Sequence, residues 1–221
     1  MTLTRSPYAL RPMTVADLPQ IAVIEAESFP SAWPSSAYKR ELQRNNLARY
    51  IVAVRREPPA PVQRGTLARI AAGMRGIVVG GPEPVAEHVA GFIGVWFMVD
   101  ETHIVTVAVR ESERRHGIGE LLLLTAFDLS TDKGVPALTL ECRVSNTAAL
   151  ALYEKYGFQR LGIRKRYYTD NNEDAVIMTT PSIEDAAYRA RIEQLRALHE
   201  QRWGQVDRPP SIDEGAADAR D

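Results

Sequence analysis

Residues 107–124 read VAVRESERRHGIGELLLL. A short β-branched run ends in charge, glycines stand at 117 and 119, and four leucines open a helix. A strand that feeds a helix through a glycine turn makes an anion site, because the first backbone N–H groups and the helix dipole point at one place. Gly117 and Gly119 let the backbone approach a phosphate closely, and Arg114 and Arg115 add charge. The same glycines also suit a turn that only reverses the chain. Two familiar phosphate loops are excluded: no G-K-[ST] is present, and there is no third glycine in the dinucleotide spacing. What remains is R-x-x-G-x-G, carried by Arg114, Gly117 and Gly119.

On either side of this turn the pattern alternates between strands and helices. YALRPM reads as a first strand. TVADLPQIAVIEAESF reads as an amphipathic helix, with Thr14 and Asp17 as a capping box and Leu18, Ile21, Ala22 and Ile24 as its apolar face. After the prolines of FPSAWPS comes a second helix, SAYKRELQRN, with Ser35 or Ser36 as N-cap. ARYIVAVRR, HVAGFIGVWFMV and HIVTVAVR read as strands, and ELLLLTAFDLSTDK as an apolar helix ended by Gly134 and Pro136. ALTLECRV is a strand and NTAALALYEKYG a helix. FQRLGIRKRYY and EDAVIMTT form a final antiparallel pair. The order implies an α/β fold with a mixed sheet and a parallel strand pair at its centre. Residues 57–87 are rich in Pro and Gly and read as an insertion in a domain spanning 1–180. Residues 181–203 suggest an extra helix, and the polar run 204–221 a disordered tail.

The 221 residues carry 27 basic and 28 acidic side chains, a net charge of -1. That balance favours neither nucleic acid nor an anionic membrane, and the longest apolar run is too short to span a bilayer. One cysteine excludes an internal disulfide, and His88, His116 and His199 show no ligand spacing, so no metal is expected. The start lacks an apolar signal core, and the expected location is cytoplasmic.

The turn, lying between a V-A-V strand and an apolar helix, resembles motif A of the GNAT acetyltransferase superfamily. Downstream, LECRVSNTAALALYEKYGF resembles that family's second signature, N-x-x-A-x-x-L-Y-x-x-x-G-F after a strand. With RKRYY…EDAVIM and FPSAW, the likeness is nearest to the ribosomal-protein alanine N-acetyltransferases and covers roughly residues 8–180. It implies a mostly antiparallel sheet splayed at its central parallel pair, with helices on both faces and acetyl-coenzyme A in the wedge. Val107, Ala108 and Val109 would then border the pantetheine arm. The turn from Arg114 and Arg115 through His116, Gly117, Ile118 and Gly119 to Glu120 would hold the pyrophosphate. Asn146 would contact the cofactor from the following helix. The expected partner is a protein N-terminus, such as that of a ribosomal protein beginning with Ala or another small residue. The enzyme is expected as a monomer or weak dimer.

Acetyl transfer to an amine requires three things: the ammonium loses a proton, the oxyanion is stabilised and the leaving thiolate is protonated. Alternation in ALTLECRV places Leu138, Leu140 and Cys142 on one face and Thr139, Glu141 and Arg143 on the other. A carboxylate in mid-strand is costly unless used, which makes Glu141 the candidate base; pairing with Arg143 at a solvated edge is the alternative. Tyr153 is the candidate acid, or else an ordinary buried tyrosine. His103 begins the strand that feeds the wedge and reads as a surface histidine or an auxiliary side chain. Phe29, Pro30 and Trp33 would wall one side of a peptide slot and Tyr167 and Tyr168 the other, unless these aromatics only pack helix on sheet. Two rivals stay open: a GNAT acting on lysine or a small amine, and a silent acyl-CoA-binding module.

Overall fold

The computed structural model describes residues 4–56 and 87–206. Strands of alternating or wholly apolar sequence assemble first: β1 (Tyr8–Pro12), β2 (Ala48–Arg55), β3 (His88–Phe97), β4 (Thr102–Val109), β5 (Leu138–Arg143), β6 (Gln159–Tyr168) and β7 (Glu173–Thr179). They form one mixed sheet in the order β1-β2-β3-β4-β5-β7-β6, in which only β4 and β5 run parallel. The 57–87 insertion lies outside the described residues, Glu87 apart.

Helices cover both faces. On one face lie α3 (Ile118–Lys133), α4 (Thr147–Lys155) and α5 (Ala186–Trp203), which bury Leu122, Tyr153 and Ile192 against Ile93, Leu138 and Leu140. The other face receives α1 (Leu18–Ser28) and α2 (Ser35–Arg44), with Ile21, Ile24 and Tyr38 packed on Val52 and Phe92. The four-leucine run of α3 is buried, which explains an apolar sequence without a polar stripe.

Two local readings need correction. Ala22, expected on the apolar face of α1, is exposed, whereas Glu25 is buried there. A tight α2 contact needs a polar acceptor at that place, as described below. The N-cap of α2 is Pro34, without a side-chain cap, and not one of the two serines.

The register of β4 positions the site. Gly94 pairs with Thr106 but Val95 pairs with Ile104, so Val105 is an extra residue in β4. The bulge reverses the alternation: Ile104 packs on the α3 side, while Ala108 packs on the α1 side. The parallel ladder with β5 ends at the same point, at Ile104 and Leu140. Beyond it the two strands part, and the sheet opens into a wedge.

Candidate active site

The upper edge of β4 forms one wall of the wedge. The Arg110 N–H donates to the Ala90 carbonyl across the β3 ladder. By antiparallel alternation the backbone of Ala108 also faces β3, and that of Val107 and Val109 faces the wedge. An extended amide arm fits such an edge as a further strand would. Above it, Gly117 is the N-cap of α3 with φ 77° and ψ 0°, and Arg115 is also left-handed at φ 68°. The first N–H groups of α3 therefore open at the mouth of the wedge, and the positive end of the helix suits an anion there.

The side chains of Arg114 and Glu120 are engaged within the protein. Arg114 donates to the Val109 carbonyl at 3.2 Å and the Glu27 carbonyl at 3.0 Å, tying the turn to β4 and α1. Glu120 accepts from Lys155 at 2.5 Å and from the Tyr156 hydroxyl at 2.8 Å, on the α4 side. His116 is exposed and stands edge-on to Trp203, with ring centroids 6.3 Å apart. Buried Ile118 anchors α3 in the core. A Cβ on Gly117 would lie 2.6 Å from the Trp203 indole. The missing side chain at 117 thus serves its left-handed backbone and the packing of α5. Asn146 caps α4, its Oδ1 accepting from Ala149 N–H at 3.1 Å.

Glu141 stands on the α1-side face of β5 and is only 8% exposed. It does not pair with Arg143, which is drawn to Asp170 and Glu173. His103 Nε2 lies 3.2 Å from Glu141 Oε2, and Arg164 lies 3.1 Å from Oε1. His103 Nδ1 is 3.1 Å from the Thr139 hydroxyl. Since a carboxylate only accepts, the contact requires a proton on Nε2. His103 foremost, and Arg164 with it, hold the Glu141 carboxyl below the usual carboxylate range against the opposing effect of burial. The contact of His103 with Glu141 was not visible in the sequence. Parallel pairing sets His103 opposite Thr139, on the same face as Glu141 two residues on. A sequence without the register of β4 and β5 does not display this.

Tyr153 projects from α4 into the opposite core, with Cys142 and Phe158; its ring centroid is 5.7 Å from that of Phe158. Burial, and secondarily Cys142 and Tyr168, push its phenol upward, so it stays protonated. Glu141 and Tyr153 thus occupy opposite faces of β5.

On the acceptor face, half-buried Phe29 packs against the core beside exposed Pro30. Trp33 leans on Tyr38 with ring centroids 5.7 Å apart. Buried Glu25 holds this loop, accepting from Trp33 N–H at 2.9 Å and from the Tyr38 hydroxyl at 2.6 Å. Opposite, Tyr167 and Tyr168 stand perpendicular with centroids 5.1 Å apart. Arg164 lies over Tyr167 and Arg143 over Tyr168, at 5.6 and 3.8 Å. Among the described residues, no group of three or more His, Cys, Asp and Glu side chains is placed to hold a metal ion. No described helix is long and apolar enough to cross a membrane.

A splayed mixed sheet with a helix N-terminus at the mouth of its wedge defines an N-acetyltransferase that uses acetyl-coenzyme A. The model of the acetyltransferase (GNAT) family matches residues 18–158. The chain is 35% identical over 170 residues to a putative [ribosomal protein bS18]-alanine N-acetyltransferase of Bacillus subtilis, covering 77% of this chain and 93% of the relative. It is 34% identical over 184 residues to the N-alpha-acetyltransferase RimI of Mycobacterium tuberculosis, covering 82% and 98%. The crystal structure of the ribosomal-protein-S18-alanine N-acetyltransferase from Escherichia coli superposes with a TM-score of 0.58 at 27% identity, over 79% of this chain and 93% of that one. The chain belongs to the GNAT acetyltransferase family.

Proposed function

We propose that this enzyme acetylates the N-terminal α-amine of a protein, a ribosomal protein beginning with Ala or another small residue, in the cytoplasm. The observation that carries this reading is the Glu141 carboxylate, kept ionised between His103 and Arg164 on the acceptor face of the wedge. A carboxylate of lowered pKa is a weak base. It suits an α-amine of pKa about 7.7–8.0 far better than a lysine near 10.4. The names of the bacterial relatives point to the same amine.

In this mechanism the N-terminal ammonium gives its proton to Glu141, oriented by His103. The freed amine attacks the thioester carbonyl and forms the C–N bond; the tetrahedral adduct gives its second N–H proton to solvent and collapses, breaking the C–S bond. The Tyr153 hydroxyl protonates the departing sulfur. The backbone of Val107 and Val109 aligns the donor, and the α3 N-terminus holds its pyrophosphate. Phe29, Pro30 and Trp33 face Tyr167 and Tyr168 across the entry of the chain end.

Mass spectrometry of peptides beginning with Ala or Ser tests this reading. We expect acetylation at the α-amine, abolished when that amine is blocked even if lysines remain. Equal modification of α-blocked, lysine-containing peptides would replace it with a lysine acetyltransferase. Glu141→Gln should lower turnover by about 10²-fold at neutral pH, with the deficit shrinking as pH rises and the amine deprotonates unaided. A deficit independent of pH would give Glu141 a structural role.

A further inference from the structure

Helix α5 follows the stretch matched by the family model, yet it is fastened along its length to the parts that frame the wedge. Near its start, the Tyr188 hydroxyl donates to the Tyr156 carbonyl at 2.7 Å, and Arg191 donates to the Lys155 carbonyl at 2.9 Å. Both acceptors close α4, the helix that carries Tyr153. Midway, Arg196 grips both oxygens of Asp128 on α3, at 2.6 and 3.2 Å. At its end the helix reaches the turn itself. Buried His199 has its Nε2 3.0 Å from the Gly117 carbonyl. A carbonyl only accepts, so Nε2 carries a proton and donates. One turn further, the Trp203 indole fills the space that a side chain on Gly117 would need. Gln205 then pairs with Thr4 and Ser6, anchoring the end of the helix.

We infer that His199 and Trp203 are positioning residues for acetyl-coenzyme A: they clamp the Gly117 peptide from behind, so that the N–H groups in front converge on the pyrophosphate. The inference rests on reading this turn as the pyrophosphate site. Its physical basis is that Gly117 adopts a left-handed conformation whose alternatives are close in energy for glycine. A hydrogen bond on its carbonyl and an indole against its Cα leave one of them. Preorganised donors bind without the ordering entropy that a loose turn would lose.

The test compares two thioesters in the full chain. Acetyl-pantetheine has the arm but no pyrophosphate, so it reports on the wedge without the turn. For Trp203→Ala we expect calorimetric titration with coenzyme A to show affinity weakened about tenfold, the scale of one lost contact of this kind. Turnover at saturating acetyl-coenzyme A should stay near wild type, and kcat/KM for acetyl-pantetheine should not change. His199→Leu should weaken coenzyme A binding in the same way, and His199→Gln, which keeps an N–H donor, should recover most of it. The His199 comparison stands even if Trp203→Ala fails to fold. Equal losses with both thioesters, or full coenzyme A affinity in a folded Trp203→Ala and His199→Leu, would overturn the clamp. If wild type itself uses both thioesters with the same KM, the turn is no pyrophosphate site, and the clamp falls with that reading.

Discussion

Two buried carboxylates support the two ends of the active site, and they do so by opposite electrostatics. Glu113 stands just before the glycine turn, 5% exposed. It receives the Tyr8 hydroxyl at 2.7 Å and Arg55 at 2.8 Å, with His88 at 3.1 Å. Glu25 stands beneath the acceptor loop and receives only neutral donors, the Tyr38 hydroxyl and the Trp33 N–H. Burial is the largest influence on both and acts to raise them. At Glu113 the Tyr8 hydroxyl, Arg55 and His88 outweigh it and hold the carboxyl below its ordinary value. At Glu25 two neutral hydrogen bonds do not, and the carboxyl stays above it. The donor end is thus cross-linked by charge to β1, β2 and β3, while the acceptor end is held by neutral contacts. On the proposed function, the difference suits a donor group that is common to every turnover and an acceptor loop that must admit a chain end.

Removing one partner from a buried, charge-paired network is the most damaging change this comparison predicts. Glu113→Ala should destabilise by about 3 kcal/mol, because Arg55 loses its counter-charge and the Tyr8 hydroxyl its acceptor. Urea denaturation checks the size, and coenzyme A titration should show weakened binding in the folded fraction. An effect within a few tenths of a kcal/mol would show that the network contributes little.

Tyr38→Phe leaves Glu25 with one hydrogen bond. The expected loss is about 1–3 kcal/mol, together with a raised KM for an Ala-starting peptide and unchanged coenzyme A affinity. Loss of coenzyme A affinity as well would mean that the two ends are not separate.

The pH dependence should run in opposite directions. Glu113, lowered, stabilises the fold above its unfolded pKa of about 4.3, and this contribution is lost as pH falls through its lower folded value. Glu25, raised, destabilises while ionised, and that penalty is relieved as pH falls through its raised value. As pH falls through the raised value of Glu25 toward its unfolded value of about 4.3, wild type should therefore gain stability relative to Glu25→Gln. The deficit of Glu113→Gln should hold constant over that range and shrink only below about pH 4.3. Urea titrations at several pH values test both, and parallel behaviour of the two variants would remove the contrast.

The smallest effect concerns a segment belonging to neither end. Gly204 and Gln205, assigned to the tail on composition, lie against Thr4–Ser6. Truncation should therefore be made after Val206, and there the melting temperature should move by no more than about one or two degrees. A larger drop would mean that the removed residues dock.

Much of this was legible in the chain. Strand and helix periods, the turn at 107–124 and the N-x-x-A-x-x-L-Y-x-x-x-G-F signature are local patterns, and local patterns carry secondary structure and family. The alternation of Leu140, Glu141 and Cys142 also told which face each side chain takes, since a strand has a period of two. Other features depend on register between distant strands. The bulge at Val105 leaves no mark in HIVTVAVR, because it exists only relative to β3. The meeting of His103 and of Arg164 with Glu141 requires β4, β5, β7 and β6 to be aligned side by side. The packing partner of Gly117 stands more than eighty residues away on α5, so the chain alone did not display that this glycine also leaves room for Trp203. Sequence by itself determined the elements, the family and the candidate acid and base. Tertiary structure alone decided which charges meet, because pairing energy depends on distances between residues whose separation along the chain says nothing about their separation in space.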